Sequence, residues 1–246
     1  VESIEILGTR LDDATYEDVL AWVDDCVASR QPHQLVTVNP EMVILAHDDP
    51  AFRQVLKGSD LNVADGAGLM VASRVLGHPL RERVTGSDGI YRLAVHCAAQ
   101  GYRAYFLGAA PGVAEVVAEN LVASYPNLEV AGAFSGSPDP LDEDDIIFRV
   151  REAVPDLLLV AYGVPAEEKW IARNLQRLGV PVMVGVGGTF DFVAGVTKRA
   201  PAWMRRLGLE WLHRLVCEPW RWRRQLALPR FVWLVIKERI TSGGYR

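Results

Sequence analysis

The segment Asn62-Val-Ala-Asp-Gly-Ala-Gly68 ends an apolar run with an aspartate and two glycines. At a strand terminus, Asp65 would keep an accessible carboxylate, and the glycines would let a ligand approach the backbone closely. The same aspartate would serve as the N-cap of a following helix. Upstream, Leu35-Val-Thr-Val-Asn-Pro-Glu41 carries Thr37 and Asn39 two residues apart, hence on one face of a strand and at its carboxyl end. The competing reading makes Asn39 a turn initiator before Pro40. Arg81-Glu-Arg-Val-Thr-Gly-Ser-Asp88 sets two arginines before a Thr-Gly-Ser helix start. Free N–H groups at such a start hold anions, and an arginine adds a bidentate contact to phosphate. A solvated arginine pair beside a Ser/Asp cap is the plainer alternative.

Two glycine-rich stretches, Phe106-Leu-Gly-Ala-Ala-Pro-Gly112 and Val184-Gly-Val-Gly-Gly-Thr-Phe-Asp191, read as strand–loop–helix junctions able to lean on a nucleotide. Neither completes G-x-G-x-x-G, and neither holds the Gly-Lys-Ser/Thr of a P-loop, which argues against a plain dinucleotide oxidoreductase. Asp142-Glu-Asp-Asp145 looks like a metal-binding Asp-x-Asp, but it opens a helix, where acidic side chains meet the dipole favourably; we read it as a solvated helix start. With the histidines scattered and no other cluster at ligand spacing, no metal and no cofactor is expected. Near the end, Glu218-Pro-Trp-Arg-Trp-Arg-Arg-Gln225 alternates cations with indoles. If Pro219 starts a helix, Arg221 and Arg224 stand three apart on one face, with Arg214 of the preceding helix able to turn toward them. Such a mixture suits anionic lipid heads or a diphosphate. It would also suit nucleic acid, or a solvated face over a Trp-rich core.

The elements that must position these groups follow from periodicity. Apolar runs at Glu5–Leu7, Gln34–Val38, Leu61–Ala64, Arg103–Leu107, Leu128–Ala131, Leu157–Ala161 and Val182–Gly185 read as strands. Helical periods fall at Thr15–Ser29, Pro40–Leu56, Ala67–Leu76, Ser87–Ala99, Pro111–Ser124, Asp142–Ala153 and Ala166–Leu178. The alternation predicts an α/β fold, a Rossmann-like and mostly parallel sheet with helices on both faces and ligands at the carboxyl ends of the strands. After Gly195 the pattern changes to short helices at Ala202–Leu207, Leu209–Cys217, Trp220–Ala227 and Arg230–Ile240. We therefore expect an α/β catalytic domain over residues 1–195 and a helical appendage over 196–246.

Charge supports that division. Residues 198–246 hold 12 Lys+Arg against 3 Asp+Glu, and the remainder holds 14 against 28. Five of the seven tryptophans lie in the basic part, which points to an anionic partner for the tail. The three cysteines are widely spaced and form no disulfide framework, in keeping with a reducing compartment. The opening VESIEILGTR has no signal-peptide pattern, and the longest apolar run of the tail, Phe231 to Ile236, is far too short to span a bilayer. A cytoplasmic protein is expected.

Taken in order, Thr37-Val-Asn-Pro-Glu, Ala64-Asp-Gly, Arg83-Val-Thr-Gly-Ser-Asp, Phe106-Leu-Gly, Tyr162-Gly-Val-Pro, Gly185-Val-Gly-Gly-Thr-Phe-Asp-Phe-Val-Ala-Gly, Arg199-Ala-Pro and Gly208-Leu-Glu-Trp-Leu with Glu218-Pro and Arg221 resemble the WecG/TagA/CpsF family of bacterial glycosyltransferases. The resemblance implies transfer of N-acetylmannosamine or a related sugar from UDP to an undecaprenyl-diphosphate-linked acceptor, in teichoic acid, common-antigen or exopolysaccharide assembly. It implies inversion without a metal, with Asp65 as general base and Thr37 and Asn39 beside it as contacts to acceptor or donor. Arg83 is implied as a ligand of the donor phosphates, and Gly108 and Gly187 as donor contacts within their glycine stretches. Arg214, Arg221 and Arg224 are implied as the clamp on the lipid diphosphate and the means of docking at the inner face of the cell membrane. The sequence departs from the family's Gly-x-Pro-x-Gln-Glu at Gly163-Val-Pro-Ala-Glu-Glu168, where Glu167 replaces a neutral amide expected to face the donor. A second carboxylate there would repel a diphosphate, alter sugar preference or act on the base.

The partners implied are thus a UDP-sugar, a polyprenyl-diphosphate-linked sugar and an anionic membrane surface, with no nucleic acid. Self-association through an apolar patch exposed by tail movement is a further expectation. The rival class is a nucleotide-binding regulator or nucleic-acid binder whose basic tail grips a polyanion.

Overall fold

The computed structural model describes residues 2–243, the side chains of Arg221 and residues 242–243 excepted. An antiparallel hairpin, β1 (Ser3–Ile6) and β2 (Thr9–Asp12), precedes α1 (Tyr16–Ser29). Then β3 (His33–Val38) leads to α2 (Pro40–Asp48) and α3 (Pro50–Gly58), and β4 (Leu61–Ala64) to α4 (Ala67–Leu76) and α5 (Gly86–Gln100). Three strand–helix units follow: β5 (Arg103–Gly108) with α6 (Val113–Ser124), β6 (Glu129–Phe134) with α7 (Glu143–Ala153), and β7 (Leu157–Ala161) with α8 (Ala166–Leu178). Last come β8 (Val182–Gly185), α9 (Thr189–Val193), and the tail helices α10 (Ala202–Arg206), α11 (Glu210–Cys217), α12 (Trp222–Gln225) and α13 (Ala227–Gly243).

The six long-range strands pair in the order β4-β3-β8-β7-β5-β6, all parallel. The expected α/β architecture is therefore present. Strands without polar alternation, such as Leu157–Ala161, are buried along their whole length. Alternate side chains feed two cores. Leu35, Phe106, Leu159 and Val184 face α1, α5 and α6, whereas Leu107, Val160 and Met183 meet Ile146 of α7 and Trp170 of α8 on the opposite side. The hairpin covers the β4 edge, where Asp12 Oδ2 accepts the Asn62 amide at 2.7 Å, so this edge is closed to further pairing.

Two expectations about elements need correction. The helical run Pro40–Leu56 is two helices, because the residue before a proline disfavours helical backbone. Asp49 turns that break into a cap, its Oδ1 accepting from Ala51 at 2.9 Å and Phe52 at 3.2 Å. The acidic start of α7 is not simply solvated: Glu143 is buried and paired with Arg173 and Arg177 of α8. Beyond residue 195 the regular elements among the described residues are all helices, and α13 packs against α2 and α4, burying Phe231 and Val235 beside Val38, Met42 and Leu69. Among the described residues no helix is long and apolar enough to cross a membrane.

The connections leave the middle of the sheet in opposite directions. From β5 the chain runs through α6 to the outer strand β6, and from β7 through α8 back toward the middle of the sheet at β8. In open α/β sheets such a reversal marks the carboxyl-end region where ligands collect.

Candidate active site

Asp65 follows β4 directly. The helix after it, α4, has Gly66 at its N-cap and no side-chain cap, so the capping role open to Asp65 in sequence is not taken up. Its Oδ2 instead accepts the Gly86 amide, in the first turn of α5, at 3.1 Å. Thr85 caps that helix, its Oγ1 accepting from Asp88 at 3.2 Å. Around Gly86 the hydroxyls converge. A Cβ built there would lie 3.3 Å from Thr37 Oγ1, 3.9 Å from Asp65 Oδ2 and 4.0 Å from Thr189 Oγ1. One face of this cluster is apolar, with Tyr16, Leu35, Val84, Ile90 and Val186 lining a small cavity below it.

Burial raises the Asp65 pKa to about 6, partly countered by the Gly86 amide. Glu210 and Asp88 add repulsion, while Arg83 opposes it. A half-buried carboxyl with that balance is a proton acceptor near neutral pH rather than a spent, fully ionised surface group.

The two arginines that looked alike in sequence part company. Arg81 is exposed and held by Asp13 and Asp18 of the α1 approach, with Nε to Asp13 Oδ2 at 2.9 Å. Arg83 is half-buried on the Asp65 side and donates through Nη2 to the Arg205 carbonyl at 3.1 Å. Arg83 therefore stands between the carboxyl and the tail.

The other candidate residues take distinct places along the same edge. Asn39 caps α2, its Oδ1 accepting from Met42 at 3.0 Å. Gly108 ends β5 with φ +111° and abuts β7 so closely that a Cβ would stand 2.7 Å from the Ala161 carbonyl carbon. Glu167 is only 2 % exposed. Its Oε2 accepts the Gly163 amide at 2.8 Å and the Gly187 amide at 3.0 Å, tying the loop after β7 to the loop after β8. Rather than projecting into open space, this carboxyl lies beneath both loops.

Of the tail arginines, Arg214 stacks on Phe192 at 4.7 Å and lies hard against Gly188, beside Thr189. Arg224 pairs through Nε with Glu41 Oε1 at 2.6 Å, at the start of α2. Arg221 closes a short 3-10 turn from Pro219, and its side chain is outside the described residues. The structure thus gathers Thr37, Asp65, Arg83 and Arg214 around the starts of α5 and α9, and places Arg224 one helix away.

Three participants were not singled out from sequence. Thr189 hides inside the glycine stretch, and only the turn into α9 brings it to Gly86. Arg199 reaches from the tail to Asp88 at 2.8 Å, Ser87 Oγ at 2.8 Å and Glu210 at 3.2 Å, fastening the tail to the start of α5. Glu210 faces Asp65 electrostatically from α11. The motifs Arg199-Ala-Pro and Gly208-Leu-Glu were visible, but which partner each charge meets is a property of the assembled site.

Residues 4–244 match the glycosyl transferase WecG/TagA/CpsF family. This chain belongs to that family. It is 36% identical over 202 residues to an N-acetylglucosaminyldiphosphoundecaprenol N-acetyl-beta-D-mannosaminyltransferase of Bacillus subtilis (strain 168), covering 82% of this chain and 78% of that one. A protein of the same name from Bacillus spizizenii is 34% identical over 209 residues, covering 85% and 80%. Another from Staphylococcus aureus (strain NCTC 8325 / PS 47) is 30% identical over 236 residues, covering 95% and 92%. The protein is a hexosyltransferase-type glycosyltransferase. Because the match runs through α10 to α13, the tail that carries Arg199, Arg214 and Arg224 is part of the family's chain and not an addition peculiar to this one.

Proposed function

We propose that this glycosyltransferase moves an N-acetylmannosamine-type sugar from UDP onto a polyprenyl-diphosphate-linked sugar, with inversion and without a metal ion, in the assembly of teichoic acid or another cell-surface polymer. The observation that carries the reading is the Asp65 carboxyl, half-buried among Thr37, Thr189 and the Gly86 amide, with Arg83 acting on it and the tail's Arg214 against neighbouring Gly188. The sugar and the acceptor class are supported by the relatives, which are N-acetyl-beta-D-mannosaminyltransferases acting on N-acetylglucosaminyldiphosphoundecaprenol.

In this reading the acceptor hydroxyl attacks the anomeric carbon from the face opposite UDP. Asp65 takes the hydroxyl proton as the new C–O bond forms, and the bond to UDP breaks with its electron pair leaving on the diphosphate. Thr37 orients the incoming hydroxyl beside the carboxyl, and the amide side of Asn39, whose oxygen is engaged as a cap, contacts a substrate hydroxyl. Arg83 meets the departing charge, doing electrostatically what a divalent ion does elsewhere. Gly108 and the loops tied by Glu167, including Gly187, form the floor of the donor site, the close β5–β7 approach leaving room for the nucleotide above it.

The tail completes the reading. Trp203, Trp211, Trp220, Trp222 and Trp233 are all exposed, as are Leu207, Val216, Leu226 and Ile240. Exposed indoles among arginines suit a peripheral position on the inner face of the membrane, with Arg214, Arg221 and Arg224 as the proposed ligands of the lipid diphosphate. The test is a panel of UDP-sugars offered with a short-chain prenyl-diphosphate-GlcNAc acceptor, read by mass spectrometry with and without EDTA. Acceptor-dependent UDP release that survives EDTA is expected. Release only with a divalent ion would remove the metal-free mechanism, and no product from any donor would remove the substrate class.

A further inference from the structure

Two adjacent acids, Glu167 and Glu168, begin α8, and both are almost wholly buried, at 2 % and 3 % exposed. Their carboxyls lie within hydrogen-bonding reach of each other. Glu167 spends Oε2 on the Gly163 and Gly187 amides, while Oε2 of Glu168 is buried with no hydrogen-bond partner among the described residues. Gly185 supplies the space, since a Cβ there would stand 2.9 Å from Glu167 Cγ. The surroundings offer little to neutralise two negative charges. From α12, Arg224 faces Glu168 but is already paired with Glu41 of α2, whose own charge opposes ionisation of the pair. From β3, Gln34 reaches only the Glu168 backbone carbonyl, at 3.2 Å, and Lys169 is turned to Asp49.

We propose that Glu167 and Glu168 share one proton, carried on Glu167, so that Glu167 clamps the β7 and β8 loops as an uncharged group and takes the place of an amide at this position. A neutral acid presents the same carbonyl oxygen to Gly163 and Gly187 that a glutamine would, and its O–H donates to Glu168 as an amide N–H would. The substitution therefore leaves no net charge beneath the loops; the single charge rests on Glu168, nearest Arg224. Glu167 is in this sense a positioning residue, acting through the glycine loops.

The sign of the pH dependence follows. Burial and the mutual repulsion of the pair raise Glu167 well above the ordinary carboxylate range, and burial raises Glu168 to about 7. The fold holds a proton that the unfolded chain has released, so the pair's contribution is complete below about pH 4 and is lost as pH rises through 7 and beyond.

The proposal rests on reading these loops as part of the donor site, but its test needs no turnover. Infrared spectra of the whole protein at mildly alkaline pH, where Asp65 is ionised, should show a protonated carboxyl C=O absorption that Glu167→Gln lacks. Thermal melts should show the native protein losing several degrees between pH 6.5 and 9, with a clearly smaller loss in Glu167→Gln. Glu168→Gln, which also removes the need to share a proton, should flatten the same decline. Retention of the carboxyl band in Glu167→Gln, or an alkaline decline unchanged in both variants, would show Glu167 ionised and overturn the proposal. Unchanged turnover and an unchanged KM for UDP-sugar in Glu167→Ala, which releases both loops, would instead count against the donor-site reading.

Discussion

The Gly86 amide points at Asp65 Oδ2 across 3.1 Å, joining the end of β4 to the first turn of α5. Gly86 N–H is one of the donors that a helix start leaves without an intrahelical partner. Asp65 satisfies it, and the helix gains the negative group its dipole favours. The same contact holds the carboxyl at the sheet edge in one orientation while burial keeps it from ionising as readily as a surface aspartate. Anchoring and activation thus act in opposite directions on its proton affinity.

Replacing Asp65 by Asn should abolish turnover and leave UDP binding within a few-fold of the native value, measured by calorimetry. The variant should also be the more stable protein near pH 8. A carboxyl whose folded pKa is raised from 3.8 to about 6 stabilises the fold only while protonated, and that contribution is lost as pH rises from about 4 through 6. The penalty above that window is about 3 kcal/mol at most, from roughly 1.4 kcal/mol per unit. Melting curves for the two proteins should therefore converge near pH 4 and separate in favour of Asn at pH 8. Equal melting at both pH values would show that Asp65 titrates as an ordinary surface group.

Arg83 and Glu210 act on Asp65 with opposite sign, Arg83 lowering its pKa and Glu210 raising it. If Asp65 is the base, activity rises as it loses its proton, giving an acid limb near pH 6. Arg83→Gln should move that limb to higher pH and Glu210→Gln to lower pH, by a few tenths of a unit to about one, as expected for single neighbouring charges. Both variants should also lower the rate, because Arg83 is the proposed partner of the departing diphosphate and Glu210 holds Arg199. The direction of the limb, from kcat/KM against pH, separates the electrostatic effect from that loss.

Periodicity was enough to place the parallel sheet, because strands covered on both faces leave unbroken apolar runs such as Leu157–Ala161. Asp65 was legible for the related reason that a polar residue followed by glycine marks where such a run ends. Less visible were facts that depend on which chain segments meet. Arg81 and Arg83 have the same local sequence surroundings, and only the position of Asp13 and Asp18 assigns one to the surface. Thr189 becomes a neighbour of Gly86 through the β8–α9 turn, not through any spacing. Likewise Phe231 reads as one apolar residue of a basic, amphipathic tail, yet it is 2 % exposed because α2 and α4 together offer it a groove.

The tail's indoles should bind membrane without being needed to hold the fold. Trp220, Trp222 and Trp233 are between 53% and 72% exposed, so their replacement by Ala should cost little stability, within about 0.5 kcal/mol each. Vesicles containing phosphatidylglycerol should retain the native protein and release the triple variant in a sedimentation assay, with binding also weakened by salt. Unaltered sedimentation of a folded triple variant would assign these side chains to something other than the bilayer. Point substitutions are the sounder probe than deleting residues 196–246, since deletion would also strip Phe231 and Val235 from the core they share with Met42 and Leu69.

That packing makes its own prediction. Phe231→Ala removes a buried ring from the groove between α2 and α4 and should destabilise the protein by about 3–5 kcal/mol, as aromatic truncations in cores do. The loss reaches function by a short route. α13 is joined through α12 to Arg224, and Arg224 is held to Glu41 at 2.6 Å at the start of the helix that Asn39 caps. Loosening α13 should therefore raise KM for a lipid-linked acceptor more than for UDP-sugar, even at temperatures where circular dichroism shows the sheet domain folded. If both KM values rise together, or neither moves below the melting transition, α13 serves only stability and does not set the position of the arginine.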